Sequence, residues 1–353
     1  MKAGTVAKAG RKTSEPIEPM EARSVAAIPI GKQWQYEPKW DGFRCLLERD
    51  GKNVTMTSKS GQSLARYFPE VARAATELPE RRFILDGELV VQVKKEFSFD
   101  ALLQRIHPAA SRIERLSAET PALFLAFDLL KYGKMDLVEL NLPDRRHELE
   151  EFAARCFPQT LFRLSPASTK LEDAKRWLKS AGGASDGIIA KRLDLPYQAG
   201  NRDGMQKIKR HRSADCVIGG FRYGERAAGG RKVVGSLLLG LYDDEGMLHH
   251  VGFTSAIKAA EKPGLTDRLE AMIADRSFTG SIPGGPSRWS TKRSSEWTPV
   301  KPKLVIEVSY DHFTGGRFRH GTTILRWRPD KKPQQCKMVQ LQQKSASVEA
   351  LLA

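Results

Sequence analysis

The sequence predicts an α+β protein of two domains, helices with antiparallel strands first and a small β-barrel after them. Three observations carry that prediction. Between Gly42 and Ser58, apolar and polar residues alternate on both sides of Asp50-Gly51, the pattern of a hairpin closed by a tight turn. Leu149, Phe152, Ala153 and Cys156 recur at helical spacing within the segment from Asp144 to Cys156, and the segment from Glu172 to Ser180 reads the same way. After about His211-Arg212-Ser213-Ala214 the helical patterning nearly stops, and short strand patterns replace it.

In chain order, the first element is a tail. Met1 to Ser14 carries Lys2, Lys8, Arg11 and Lys12 among small residues with no acid, which predicts a disordered basic segment over residues 1–15. Residues 16–212 form the first domain, with the hairpin placing Lys39 on a loop at a sheet edge. Residues 213–353 form the second, with strands over Cys216 to Phe221, Val234 to Tyr242, Leu248 to Phe253, Leu304 to Tyr310 and Thr322 to Arg328. A helix over about Leu265 to Ala274 interrupts them. Five strands with one inserted helix fit an OB-fold barrel, a frequent nucleic-acid platform. The loop Ile282-Pro283-Gly284-Gly285-Pro286 precedes Trp289, Lys292, Arg293 and Trp297. That interleaving suits a sugar-phosphate backbone, and simple packing of the tryptophans is the other reading.

A chain of 353 residues can bury two cores without staples. Cys45, Cys156, Cys216 and Cys336 are too scattered for a zinc knuckle or a disulfide framework, and read as the reduced thiols of a cytosolic protein. No apolar run approaches the roughly 18 residues that span a bilayer, and no secretory signal is visible. The expectation is a soluble intracellular protein without a membrane partner. Lys and Arg number 58 against 42 Asp and Glu, a formal charge of +16 that favours a polyanionic partner. The absence of a G-x-x-x-x-G-K-[ST] segment argues against a P-loop ATPase.

The chemistry starts at Glu37-Pro38-Lys39-Trp40-Asp41-Gly42-Phe43-Arg44. A lysine attacks phosphorus only as the neutral amine, and with a reference pKa of about 10.4, neutrality at pH 7 costs roughly 4–5 kcal/mol. Neighbouring cations, a divalent metal or a desolvated pocket can lower that pKa. Leu85-Asp86-Gly87-Glu88-Leu89-Val90-Val91 sets acids inside an apolar strand pattern, where a carboxylate needs a metal or a cation. Glu88 is therefore a candidate metal or ribose contact. Phe127, in the run Leu123 to Leu130, either faces a base or belongs to the core. Asp186 opens the strand pattern Ser185-Asp186-Gly187-Ile188-Ile189-Ala190-Lys191, and Lys207 and Lys209 share one face of Met205-Gln206-Lys207-Ile208-Lys209-Arg210. Two ammonium groups side by side suit a triphosphate.

In this order these segments resemble the motifs of the covalent nucleotidyltransferases: ATP-dependent DNA ligases, RNA ligases and mRNA-capping enzymes. Together with Arg328-Pro329-Asp330-Lys331, the match runs from about Pro16 onward. Glu37 to Arg44, Arg66-Tyr67-Phe68-Pro69-Glu70 and Leu325 to Lys331 look most like the small bacterial ATP-dependent DNA ligases of the C type and the ligase module of end-joining ligases. The resemblance implies a nucleotidyltransferase (adenylation) domain followed by the OB-fold domain, with Lys39 bearing AMP. It further implies that Glu37 recognises adenine, Arg44 contacts ribose or phosphate, and Phe127 stacks on the base. Glu88 and Asp186 would serve the metal-assisted steps, Lys207 and Lys209 the α-phosphate and adenylate, and Arg328, Asp330 and Lys331 the departing pyrophosphate.

Two positions depart from the pattern. Ser58-Lys59-Ser60-Gly61 stands where relatives commonly have Ser-Arg-Asn-Gly, so Lys59 would meet a DNA 5′-phosphate as a point charge instead of a bidentate fork. Asp186 stands where glutamate is usual, one methylene shorter. The implied activity is sealing of nicked duplex DNA in repair with ATP and Mg²⁺, or Mn²⁺ in its place. The expected protein is a monomer in the bacterial cytoplasm, associated with the nucleoid and with repair proteins as partners. The competing readings are an RNA ligase, a capping-type guanylyltransferase and a noncatalytic nucleic-acid-binding protein; an NAD-dependent ligase would bring a cysteine cluster.

Overall fold

A computed structural model describes residues 17–181, 185–210, 212–226, 230–284, 296–341 and 351–352. The expected basic tail, and Trp289, Lys292 and Arg293 of the loop, lie outside the described residues. The described chain forms two compact units, one of residues 17–176, 188–208 and 351–352, the other of 177–181, 185–187 and 209–341.

The first unit holds two sheets. In the seven-stranded sheet the main order is Asn53–Ser58, Phe43–Asp50, Arg82–Val93, Ala122–Tyr132, Met135–Asp136. The hairpin forms as expected, with Asp50 opposite Asn53 and Gly51 at φ 64°, a left-handed turn position that glycine occupies without a Cβ penalty. The four-stranded sheet runs Arg23–Ser24, Met205–Lys209, Ser185–Arg192, Trp34–Trp40. Leu46, Ile84 and Leu130 from the first sheet join Met205 and Ile189 from the second, with Met20 and Tyr197, in one apolar cluster. The two sheets are thereby held together. Leu47, Phe83, Leu85, Phe124 and Phe162 of the larger sheet form the main core with Phe152, which comes from the helix Leu142–Cys156, while the helix Pro69–Glu77 adds Val71 and Ala75. Each fully buried leucine or phenylalanine side chain contributes roughly 1.5–3 kcal/mol.

Charges inside this core are paired. Arg145 Nε donates to Asp128 Oδ1 at 2.9 Å, and Arg105 Nη2 to Glu70 Oε1 at 2.6 Å. A buried ion without such bonds would cost several kcal/mol.

The second unit is an OB-fold. Its main sheet runs Leu248–Thr254, Lys232–Tyr242, Arg212–Arg226, Val305–Tyr310, Thr323–Trp327, with antiparallel neighbours. The two outer strands meet at a Thr254–Thr322 bridge, where the Thr322 N–H donates to the Phe253 carbonyl at 3.1 Å and closes the barrel. The helix Lys262–Glu270 is inserted as expected. All five strand patterns appear, but the first is 15 residues long where only Cys216 to Phe221 shows a strand pattern in sequence. It bends at register shifts after Ile218 and Arg222, and its polar flanks interrupt the apolar run. Trp297 packs edge-on against Phe278 at 5.5 Å between ring centroids. All four cysteines are buried and free.

Lys39 differs from expectation. It belongs to the strand Trp34–Trp40, at the edge of the four-stranded sheet, and the bend begins only at Asp41. Trp34, Tyr36, Pro38 and Trp40 alternate with Gln35, Glu37 and Lys39, a strand pattern that Pro38 obscures in the sequence, since proline is accepted in a strand only where, as here, it lies at a sheet edge.

Candidate nucleotide-binding active site

Lys39 is one residue from the end of its strand, and its neighbours fix it there. The Trp40 indole N–H donates to Ser165 Oγ at 2.9 Å. The chain then turns at Asp41-Gly42. A Cβ on Gly42 would run into the Leu89 carbonyl oxygen and the Glu88 side chain, so glycine allows the Gly42 N–H to donate to Glu88 Oε1 at 3.2 Å. The turn after Lys39 is thus pinned to the carboxylate whose charge Lys39 feels.

A pocket of about 230 Å³ opens beside Lys39. Glu37, Lys39, Arg44, Lys59, Glu88, Phe127 and Lys207 all line it, although they come from separate strands of both sheets and the loop after the hairpin. Five cations, Lys39, Arg44, Lys59, Lys191 and Lys207, share this wall with the apolar surfaces of Phe127, Ile189, Met205 and Ala22. That is the chemistry of a polyphosphate carrying an aromatic base.

Glu37 is buried in the pocket wall. Its Oε1 accepts from Gln35 Nε2 at 2.9 Å, and its Oε2 lies 2.9 Å from Lys191 Nζ. Lys191 in turn donates to the Phe127 carbonyl at 3.2 Å and lies 4.8 Å from the centre of the Phe127 ring. Lys191 is a pocket residue to which the sequence reading gave no role. Its signal is its place as the last residue of the segment beginning at Asp186, on a strand that lines the site. Phe127 reaches the pocket instead of the core, with the Arg44 guanidinium 5.5 Å from its ring centre.

Arg44 is anchored by Asp86, with Nε donating to Oδ1 at 3.0 Å and Nη2 to Oδ2 at 2.7 Å, and by the Met20 carbonyl. Burial disfavours its charge, but Asp86 more than offsets this and keeps its pKa above the ordinary value. Tyr197 donates to the same Asp86 carboxylate at 2.6 Å. The guanidinium plane is therefore set before any ligand arrives.

Glu88 is the perturbed acid. Desolvation by the pocket walls pushes its pKa up to about 8, against the pull of Lys39 and Arg44 and with added repulsion from Asp41 and Asp86. A carboxylate so placed gains ionisation from an incoming cation, and its hard oxygens fit a divalent metal such as magnesium.

The remaining predicted residues lie in the second unit. Lys209 Nζ is 3.1 Å from Asp186 Oδ2 and 3.9 Å from Asp311 Oδ2, and His312 Nε2 is 3.8 Å from Asp186 Oδ2. Arg328 Nη1 and Lys331 Nζ converge on Asp215, at 2.7 and 2.5 Å from its two oxygens. Arg328 also bonds Asp330, whose pKa those hydrogen bonds pull down to about 2. The cluster is ordered by its own charges.

Comparison with known proteins gives the family of this arrangement. Residues 19–209 match the model of the ATP dependent DNA ligase domain, and residues 230–331 that of the ATP dependent DNA ligase C terminal region. DNA ligase C2 of Mycolicibacterium smegmatis is 43% identical over 342 residues, covering 92% of this chain and 94% of that protein. DNA ligase C of Mycobacterium tuberculosis is 39% identical, covering 93% and 94%. A solved chain described as "DNA binding with a minimal scaffold: Structure-function analysis of Lig E DNA ligases" is similar in fold, with a TM-score of 0.50, 14% identity, and 88% and 100% of the two chains covered. Among the described residues, no helix is long and apolar enough to cross a membrane.

Proposed function

The chain belongs to the ATP-dependent DNA ligases, and from that premise we propose that Lys39 is the nucleophile that carries AMP from ATP to the 5′-phosphate of a nick in duplex DNA. The observation that carries this assignment is the convergence of Lys39, Glu37, Arg44, Glu88, Phe127 and Lys207 on one pocket. The Lys39 amine attacks the α-phosphorus, the bond to pyrophosphate breaks, and AMP remains as a phosphoramidate. The nick 5′-phosphate then displaces Lys39 to form an anhydride with AMP, and the neighbouring 3′-hydroxyl attacks that phosphate as AMP leaves.

Each wall residue has a share in those steps. Glu37, held by Lys191 and Gln35, reads the adenine edge, while Phe127 offers its ring to the base. Arg44 binds ribose or phosphate from its Asp86 clamp. Lys207 and Lys209 bind the α-phosphate and later the adenylate. Glu88 and Asp186 would hold Mg²⁺, or Mn²⁺, which when bound would neutralise charge on the phosphates. The protein works as a monomer in the bacterial cytoplasm, at the nucleoid and with repair proteins, on nicked duplex DNA. Residues 16–212 form its adenylation domain and 213–353 its OB domain.

The test is incubation with each labelled nucleotide, followed by nicked DNA and nicked RNA. ATP should label the protein and the label should pass to nicked DNA; GTP labelling or preferential sealing of RNA would overturn the reading.

Two further results are expected. Binding to nicked DNA should be mostly phosphate neutralisation, given the +16 charge, so affinity should fall by about 10³-fold or more between about 50 and 200 mM salt. Titrations at several salt concentrations check this, and a flat profile would remove the basic excess from the contact surface. Arg328→Ala and Lys331→Ala should each slow AMP transfer to Lys39 by about 100-fold, the scale for losing one positioned cation. Both should seal pre-adenylated nicks nearly as the parent does, because pyrophosphate is absent from that step. A rapid-quench comparison of the two half-reactions separates these outcomes.

A further inference from the structure

At the mouth of the nucleotide pocket two cations already share an anion. Glu21 Oε1 lies 3.1 Å from Lys59 Nζ, and Glu21 Oε2 accepts from Arg202 Nε at 2.8 Å. Lys59 and Ala22, the residue after Glu21, both line the pocket. The carboxylate is mounted on ordered backbone. Its own N–H donates to the Asn201 carbonyl at 2.8 Å, Met20 N–H donates to Tyr197 Oη at 2.9 Å, and Arg23–Ser24 pairs with Gln206 and Lys207. Arg202 sits in a turn bounded by Gly200 and Gly204, both at positive φ, with its backbone N–H bonded to Asn201 Oδ1 at 2.6 Å.

We infer that Lys59 and Arg202 form a two-cation site for the 5′-phosphate of the nick, and that Glu21 fills this site in the DNA-free enzyme as a stand-in for that phosphate. The inference rests on the assignment of Lys59 above and adds Arg202 and Glu21 to it. Two diverging carboxylate oxygens each meeting one cation copy what two phosphate oxygens would do. Both cations are largely exposed, at 53% and 67%, so each ion pair with Glu21 contributes little and is easily exchanged. The hydrogen bonds from Arg202 and Lys59 hold the Glu21 carboxyl below its usual pKa, so it stays an anion at neutral pH. A lone lysine in place of the usual arginine is thereby supplemented by a second cation, while Glu21 keeps the pair from capturing other anions.

The test is equilibrium binding of the full chain, in EDTA, to nicked duplexes ending in a 3′-dideoxynucleotide and bearing either a 5′-phosphate or a 5′-hydroxyl. Glu21→Gln should tighten binding to the 5′-phosphate nick by about threefold to tenfold and to the 5′-hydroxyl nick by about twofold or less. Adding Arg202→Ala to Glu21→Gln should abolish the gain. Unchanged or weaker binding by Glu21→Gln, or equal tightening for both ends, would overturn the stand-in. The Lys59→Ala variant tells the two failures apart. If it keeps the full preference for the 5′-phosphate, the Lys59 assignment falls and takes the inference with it. If it loses that preference while Glu21→Gln binds as the parent does, Lys59 stands and only the stand-in is wrong.

Discussion

Lys39→Ala is expected to take up no AMP from ATP, whereas the parent protein takes up one AMP per chain at Lys39. The expectation is all-or-none because the bond is made by the side-chain nitrogen, for which no other pocket group can substitute in place. Lys207, Lys191 and Lys59 line the same pocket, so the variant also asks whether a neighbouring amine can take over. Lys191 is paired with Glu37 at 2.9 Å and Lys59 with Glu21 at 3.1 Å, so both side chains are engaged by carboxylates elsewhere in the pocket wall. Peptide mass spectrometry after incubation with ATP and magnesium decides the matter. Adduct on any other residue, or persistence of the adduct in Lys39→Ala, would sink the assignment. The same variant should still seal nicks that already carry AMP on the 5′-phosphate, since the lysine has no part in the final attack.

Asp186→Ala is expected to slow the sealing of pre-adenylated nicks by about one to two orders of magnitude, the usual cost of losing a group that supports a metal through water. Aspartate ends one C–C bond short of glutamate, a gap of roughly 1.5 Å, and an ordered water can bridge such a gap at little cost. Asp186→Glu should therefore remain active. A second role is visible in the second unit, where Asp186 lies 3.1 Å from Lys209. If holding Lys209 were the whole function, Asp186→Ala would impair steps that need Lys209 yet leave the metal concentration for half-maximal sealing unchanged. Single-turnover sealing across a magnesium titration separates the roles. An unaltered rate for Asp186→Ala would make the carboxylate structural.

Much of this was legible in the chain itself. The Asp50-Gly51 hairpin, the helices ending near Cys156 and Ser180, and the five barrel strands follow from local rules, namely turn chemistry and the 2.0 and 3.6 periodicities. The acids and bases of the site announce themselves too, because a carboxylate such as Glu88 amid Leu85 to Val91 is out of place in a strand without a partner. The sequence by itself thus determined the element types, the family resemblance and the list of candidate groups.

Tertiary structure decided the rest, and each decision depends on pairing that no local pattern encodes. Lys39 lies on a strand, not a loop, because Trp34–Trp40 takes the edge of its sheet, a position that tolerates Pro38 inside a strand. Phe127 faces the pocket because the bulge where Asp86-Gly87 pairs with Ala126 and Asp128 shifts the register of its strand. Lys191 joins the site because Glu37, 154 positions earlier by subtraction of the two residue numbers, comes within 2.9 Å of it. Arg44 is locked by Asp86 across paired strands, and Glu21 reaches both Lys59 and Arg202 from a segment far from either in sequence. Electrostatics acts through distance in space, and the raised pKa of Glu88 exists only where the folded chain removes water and brings Asp41 and Asp86 near, against the opposing pull of Lys39 and Arg44.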